Sequence, residues 1–271
     1  MKVMQISMNT GVNVGVNEKD TLNTVKIYES SLFYTLTGNT IRPGGFKITK
    51  RVMELCGYSK GAHLLDIGCG CGATVEYLEQ YGMICTGIDS SALLIEEGLK
   101  RNKHLKLLQG NAESLPVQDE CMDGVIAECS FSLMHDKEKV LDEINRVLKT
   151  EGKFIITDMY LKSTEKNELP KETEVNSCIL NAFVLDDLNA LITKKGFRIL
   201  HFEDHTRALK ELMANIIIEH GTLESFFQLA GRNTCGCSLT CSDWRNLKLG
   251  YFLLIAQKEK KKGCAQVKQE A

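Results

Sequence analysis

Short apolar runs alternate with amphipathic stretches along most of the chain. Five apolar runs bounded by glycine or polar residues predict buried strands: AHLLDIG (62–68), MICTGID (83–89), LKLLQGN (105–111), DGVIAEC (123–129) and GKFIITDMY (152–160). Between them, apolar residues recur at helical spacing and predict three helices: 72–82, 91–102 and 136–149. Strands that alternate with helices are typical of a parallel sheet covered by helices on both faces.

The pattern loosens after residue 160 and then resumes. It predicts a helix at 185–195, a strand at 198–204, a long helix over 206–230 and a last strand at 249–258. We therefore expect an α/β fold, a doubly wound, Rossmann-like sheet of seven strands.

The same pattern divides the chain into three regions. Residues 1–56 are predicted to form a flexible segment and a helical cap, 57–257 the main domain, and 258–271 a polar tail. Within the main domain, 161–182 is a candidate lid and 233–243 a cysteine-rich loop.

Composition and charge narrow the function classes. The 271 residues carry a net charge of −2, which gives no indication of nucleic-acid binding. No apolar stretch approaches the roughly 20 residues of a membrane span, and the first residues lack the apolar core of a signal peptide. Eleven cysteines, an odd number, therefore favour reduced thiols in a cytoplasmic protein over disulfides.

A glycine-rich turn, LLDIGCGCGAT (64–74), follows the first predicted strand. Gly68, Gly70 and Gly72 leave the backbone bare at the carboxyl end of a strand, where open α/β sheets bind nucleotide-like ligands. The segment also satisfies the G-x-G-x-x-A pattern of dinucleotide-binding proteins, so an oxidoreductase is an alternative. Asp66 before the glycines is unusual for that fingerprint, whereas Asp89 after the second strand suits a ribose diol in either class.

Four segments in this order resemble the class I S-adenosylmethionine-dependent methyltransferases: LLDIGCGCG, GIDSS, GNAESLPVQDECMDGVIAE and EINRVLKTEGKFIITD. The resemblance covers about residues 64–160 and implies the class I methyltransferase fold with S-adenosyl-L-methionine as cofactor. It also implies the cofactor-binding residues: Asp66, Gly68, Gly70, Gly72, Asp89, Ser90, Asn111, Ala112 and Glu128. In that family the glycines pass under the methionine part of the cofactor, and the residue at the position of Asp66 holds that part in place. Asp89 would take the ribose hydroxyls, and Asn111 and the Ala112 N–H would contact the adenine edge.

Two cysteines occupy positions where an acceptor would bind. Cys129 ends the fourth predicted strand, and Cys178 precedes a later helix. Their surroundings resemble those of arsenite methyltransferases, in which thiolates hold trivalent arsenic with its lone pair free to attack. The resemblance is incomplete, because no cysteine precedes Cys56 in this chain. Free cysteine is also common as a small buried apolar residue, so a structural role remains open.

A second group of thiols lies in TCGCSLTC (234–241). Cys235, Cys237 and Cys241 follow a spacing that matches neither the usual paired zinc arrangement nor a standard iron–sulfur run. They form a candidate site for one soft metal ion.

Three hypotheses follow for the function. The first is methyl transfer from S-adenosylmethionine to a small acceptor, with a metalloid such as arsenite as the leading example. The second is methylation of an ordinary organic molecule at carbon, oxygen or nitrogen. The third is a thiol-based metal-binding or redox accessory protein that keeps the fold without turnover. The sequence leaves the oligomeric state open.

Overall fold

Strands and helices alternate in the computed structural model, which describes residues 42–162, 178–179, 181–222 and 248–260. The helices are α1 (Phe46–Cys56), α2 (Ala73–Gln80), α3 (Ala92–Arg101), α4 (Lys137–Val147), α5 (Leu185–Lys194) and α6 (Thr206–His220). The strands are β1 (His63–Ile67), β2 (Ile84–Asp89), β3 (Leu107–Gln109), β4 (Met122–Glu128), β5 (Leu148–Leu161), β6 (Phe197–Asp204) and β7 (Leu249–Lys258).

The described strands form one seven-stranded sheet in the order β3-β2-β1-β4-β5-β7-β6. Strands β1 to β5 are parallel, and β7 enters antiparallel between β5 and β6. This arrangement confirms the predicted doubly wound α/β fold. The strand order reverses direction between β1 and β4, and ligands of open α/β sheets bind at the carboxyl ends of the strands beside such a switch point.

Helices on both faces of the sheet enclose apolar side chains. One layer centres on residues such as Phe131, Phe154 and Phe252, and the other on residues such as Leu64, Ile155 and Tyr251. The parallel strands are buried on both faces, which explains why they appear in the sequence as continuous apolar runs.

Local signals set most element ends. Helix α3 begins after Ser91, whose hydroxyl accepts a hydrogen bond from the Leu94 N–H. Helix α6 ends at His220, well before the predicted residue 230, because Gly221 adopts φ 80° and closes the helix. Helix α1 buries Ile48 and Val52 in the same apolar layer as β1.

Several predicted features lie outside the described residues. These are residues 1–41, most of the candidate lid, the cysteine-rich loop and the tail from residue 261. The division of the chain into regions therefore stays a prediction. Among the described helices, none is long and apolar enough to cross a membrane.

Candidate active site

The glycine-rich turn lies between β1 and α2. Gly68, Gly70 and Gly72 have φ values of 74°, 53° and 75°, in the left-handed region that favours glycine. A Cβ on Gly70 would meet only Leu94 Cδ1 among the described residues, at 3.9 Å, so this side of the turn is open. A Cβ on Gly68 would lie 2.4 Å from Ser130 Cβ, because the turn packs closely against the end of β4. The turn thus brings bare backbone to the carboxyl edge of the sheet.

Asp89 stands at the end of β2 and is fixed by two backbone amides. Its carboxylate accepts hydrogen bonds from Gly70 N and Ser91 N, both at 2.8 Å. Each carboxylate oxygen keeps further lone-pair capacity, which a pair of ribose hydroxyls can use. Ser90 is exposed beside it, and its carbonyl accepts a hydrogen bond from Gln109 at 3.3 Å.

The predicted adenine-contacting residues follow β3. Gly110 N donates to the Asp89 carbonyl at 2.9 Å, so Asn111 and Ala112 come next to the end of β2. The side-chain oxygen of Asn111 accepts a hydrogen bond from Glu113 N at 3.2 Å. Asn111 is exposed and Ala112 half-buried, so both remain reachable from the edge of the sheet.

Asp66 is buried at the end of β1. Burial, followed by the neighbouring Glu128 charge, raises the pKa of this carboxyl to about 8, while Arg42 acts in the opposite direction. A carboxyl in this state is suited to a cationic ligand group, because a positive charge would restore its ionised form.

Glu128 anchors a buried polar network under the turn. Its carboxylate accepts hydrogen bonds from Thr49 at 2.8 Å and Thr74 at 2.7 Å, and pairs with Arg42 Nη2 at 2.8 Å. Arg42 also donates to Thr49 at 2.8 Å, while its buried Nε has no hydrogen-bond partner within the part of the chain that the structure describes. These partners hold the buried Glu128 carboxylate in place, and its predicted contact with the cofactor stays a prediction.

Sequence reasoning did not select Thr49 and Thr74. Each is a polar residue on the buried side of a helix, and each is no more than 3% exposed. Buried polar groups need partners, so a threonine at an apolar position of a helix is the signal that points to such a network.

Cys129 and Cys178 come together at the same edge of the sheet. Their sulfur atoms are 3.7 Å apart, and both are reduced thiols. Cys129 follows β4 with φ 57°, and its N–H donates to the Thr157 carbonyl at 2.6 Å. The contact with Cys178, together with burial, raises the pKa of the Cys129 thiol well above its usual value.

A second buried carboxyl lies behind this thiol pair. Asp158 accepts hydrogen bonds from Ser132 N at 2.8 Å, from Ser132 Oγ at 2.9 Å and from Met159 N at 2.8 Å. Burial raises the pKa of Asp158 to about 6, although these donors and Lys137 counteract the rise.

The described residues contain no cluster of three or more His, Cys, Asp or Glu side chains arranged to hold a metal ion. Cys235, Cys237 and Cys241 lie outside those residues, so the candidate soft-metal site stays a prediction.

Comparison with known proteins agrees with this geometry. Residues 65–156 match the family model described as a methyltransferase domain. The chain is 29% identical over 179 residues to the O-methyltransferase rstn1 of Aspergillus nomiae, covering 61% of this chain and 77% of that protein. It is 31% identical over 122 residues to the demethylmenaquinone methyltransferase of Thermotoga maritima, covering 44% and 53%.

Residues 65–156 carry a methyltransferase domain. The fold is shared with phosphoethanolamine N-methyltransferase 2 of Haemonchus contortus, a structure solved with S-adenosyl-L-methionine, which superimposes with a TM-score of 0.66. That match is 18% identical and covers 86% of this chain and 57% of the nematode chain. The chain therefore spans little more than half the length of two of these three proteins, and 77% of the third.

The predicted enzyme class, fold and cofactor of the methyltransferase are confirmed, whereas a likeness to arsenite methyltransferases is not shown by these comparisons. The residues present fit S-adenosylmethionine, because bare glycine backbone, a carboxylate with lone pairs left for hydroxyl donors and a buried acid meet at the carboxyl ends of the strands. In this assignment Asp89 would hold the sugar, Asn111 and Ala112 the adenine, and Asp66 with the glycine turn the methionine part.

Proposed function

We propose that this methyltransferase methylates a small acceptor held by the thiols of Cys129 and Cys178, with trivalent arsenic, supplied as arsenite, as the leading acceptor. The observation that carries the proposal is the 3.7 Å separation of the two sulfur atoms. Two thiolates at such a distance can bind one soft, pyramidal centre between them with little movement.

The position of the pair supports an acceptor role. Cys129 follows Glu128 directly, and Ser130 contacts Gly68 in the glycine turn so closely that a Cβ there would lie 2.4 Å from the serine Cβ. Ser130 Oγ also donates to the Ile67 carbonyl at 2.7 Å. The thiols therefore lie at the edge of the sheet that the cofactor-binding residues occupy.

The chemistry of arsenite suits this pair. Each thiol gives its proton to one hydroxide of arsenous acid, so two water molecules leave and two arsenic–sulfur bonds form. The arsenic keeps its lone pair, which can then attack an electrophilic carbon. When bound, S-adenosylmethionine supplies an electrophilic methyl group on a positively charged sulfur. Methyl transfer of this kind needs alignment above all, which two fixed thiolates provide.

A second candidate is a small organic acceptor. It is favoured by the relatives named above, which are described as an O-methyltransferase and a demethylmenaquinone methyltransferase. In that case Cys129 and Cys178 would line the acceptor pocket without bonding to the substrate.

A methyl-transfer assay with labelled S-adenosylmethionine separates these candidates. The purified chain is offered arsenite, selenite, a phenol and a demethylated quinol, together with the variants Cys129→Ser and Cys178→Ser. The matched control is Cys121→Ser, because this half-buried thiol lies near the start of β4, at the opposite edge of the sheet.

We expect both active-site variants to lose arsenite methylation at least 100-fold and Cys121→Ser to retain it. Calorimetric titration should show that Cys129→Ser binds one arsenite fewer than the wild-type chain, while cofactor affinity is equal in the two. Organic methylation that survives Cys129→Ser, without arsenite turnover, would establish the second candidate. Thiol-dependent metal binding without turnover on any acceptor would establish an accessory protein.

A further inference from the structure

A cavity of about 770 Å³ lies between the start of α1 and the first half of α6. Its described lining comes from two segments, 42–48 and 204–215. Arg42 pairs with Glu128 at the end of β4, and residue 204 ends β6, so the cavity is at the carboxyl edge of the sheet. Neither of the two active-site thiols nor any residue assigned to the cofactor is among the described residues that line it.

Two glycines bring the start of α1 close to α6. Gly44 and Gly45 have φ values of 73° and 48°, in the region that favours glycine. A Cβ on Gly44 would lie 2.7 Å from Ile48 Cδ1 and 3.3 Å from Ala208 Cβ, which belongs to α6. The chain therefore enters α1 as bare backbone along the wall of the cavity.

Helix α1 lacks the groups that usually offset the charge of a helix N-terminus. This end of a helix carries partial positive charge, which a capping oxygen or an acidic residue stabilises. The N-cap residue of α1 is Gly45, which has no side chain to accept a hydrogen bond, and the first turn contains no acidic residue. It contains Lys47, which is exposed and forms no ion pair with any residue that the structure describes.

The titratable lining residues on the α6 side already have partners. Each of them contacts a group of opposite type: Arg207 contacts Glu211 at 2.9 Å, Asp204 contacts Lys162 at 3.2 Å and His205 contacts Glu203 at 3.1 Å. These pairs leave the charge of Lys47 uncompensated within the described lining.

Arg42 adds an unused hydrogen-bond donor to the same lining. It is 8% exposed, and its Nη2 pairs with Glu128 at 2.8 Å. Its buried Nε has no partner among the residues that the structure describes. A buried donor without a partner is unusual and costly in a folded protein, and an acceptor atom of a bound molecule would satisfy it.

We propose that the cavity between α1 and α6 binds an oxyanion group, a phosphate or a carboxylate, of a small molecule other than the cofactor. Helix N-termini with bare backbone, together with Lys and Arg side chains, are the groups that bind such oxyanions in proteins. The volume lies in the range of about 300–1,000 Å³ that is usual for small-molecule sites. The proposal goes beyond methyl transfer, and it does not depend on which acceptor the thiols hold.

The test is calorimetric titration with inorganic phosphate and with succinate, at constant ionic strength set with sodium chloride. The variant is Lys47→Glu, which reverses the uncompensated charge. The matched control is Lys50→Glu, because Lys50 is exposed on the same helix, changes the net charge equally and is not among the described lining residues. The same three proteins are titrated with S-adenosylmethionine, which shows whether the cofactor uses the cavity.

We expect phosphate or succinate to bind the wild-type chain in the millimolar range, and Lys47→Glu to weaken this binding about ten-fold or more relative to Lys50→Glu. The affinity for S-adenosylmethionine should be equal in the two variants. Lys47→Ala, which only removes the charge, should weaken anion binding in the same direction and decides if Lys47→Glu does not fold.

Three results would overturn the proposal. The first is that neither anion binds the wild-type chain in the millimolar range, and the second is that the Lys47 and Lys50 variants bind both anions equally. The third is a loss of S-adenosylmethionine affinity in Lys47→Glu together with competition between phosphate and the cofactor, because the anion would then be the cofactor's own carboxylate.

Discussion

Asp89 combines two tasks in a single carboxylate. It fixes the backbone of Gly70 and Ser91 through hydrogen bonds of 2.8 Å, and in the proposed assignment its remaining lone pairs would accept the hydroxyls of a ribose. The structural task explains why this acid stands at the strand end with little freedom to move. The ligand-binding task depends on the same fixed position.

We expect Asp89→Ala to weaken S-adenosylmethionine binding ten-fold or more, about 1.4 kcal/mol or above, because both ribose hydroxyls lose their acceptor. Isothermal calorimetry measures this directly. Asp136→Ala is the matched control, since it also removes a carboxylate that accepts a backbone N–H, that of Lys139 at 3.0 Å. Equal affinity in wild type and Asp89→Ala would contradict the ribose assignment.

Some residues of the candidate site could be predicted from the sequence and others could not. The sequence selected Cys129 and Cys178 although 49 positions separate them, and the structure brings their sulfur atoms together. It did not predict that Thr49 and Thr74 bind Glu128. Helical spacing indicates which positions of a helix are buried, but it does not identify the hydrogen-bond partner of a threonine at such a position.

At the scale of elements, the turn after β1 and the end of β4 behave as one unit. Ser130 donates to the Ile67 carbonyl at 2.7 Å, and its Cβ occupies the space that a side chain on Gly68 would need. The cofactor turn is thus held against the segment that carries Cys129.

We predict that Gly68→Ala lowers the free energy of unfolding by about 2 kcal/mol or more, from left-handed strain plus a clash with Ser130. Urea denaturation measures the loss. Gly61→Ala is the control, because Gly61 has φ 84° but a Cβ added there would meet no described atom within 4 Å, so only about 1 kcal/mol of strain is expected. A loss no larger at Gly68 than at Gly61 would mean that the contact with Ser130 is unimportant.

Element types were predictable, because glycine and polar residues interrupt each apolar run at the strand ends. Element ends were less predictable. Helix α6 ends at His220, because Gly221 adopts φ 80°. The apolar pattern beyond Gly221 had predicted that the helix continues to residue 230.

At the scale of the whole molecule, two fully buried carboxyls make stability depend on pH. The pKa of Asp158 is raised to about 6 and that of Asp66 to about 8, in both cases chiefly by burial. The folded protein therefore favours their neutral forms. This stabilisation is complete below about pH 4 and is lost as pH rises through about 6 for Asp158 and about 8 for Asp66.

We expect the free energy of unfolding without cofactor to fall by about 3 kcal/mol for Asp158, and by more for Asp66, as pH rises from about 4 through these values. Chemical denaturation at pH 4.5, 7 and 9 tests this. Asp158→Asn should remove only part of the loss between pH 4.5 and 7, because Asp66 also loses stabilisation in that range. Asp66→Asn should remove the rest of that loss and the loss between pH 7 and 8. Asp119→Asn, at an exposed ion pair with Arg146, should preserve the wild-type profile. A profile that Asp158→Asn leaves unchanged would show that this carboxyl is ionised throughout.

The place of β7 in the sheet has a consequence for synthesis on the ribosome. Strand β6 has β7 as its hydrogen-bonded neighbour in the sheet, and β7 is made about 50 residues later than the start of β6. During synthesis, β6 therefore has no strand to pair with until β7 leaves the ribosome, although strands β1 to β5 have already done so. The last described strand to be translated, β7, joins β6 to β5, so the seven-stranded sheet is not complete before that moment.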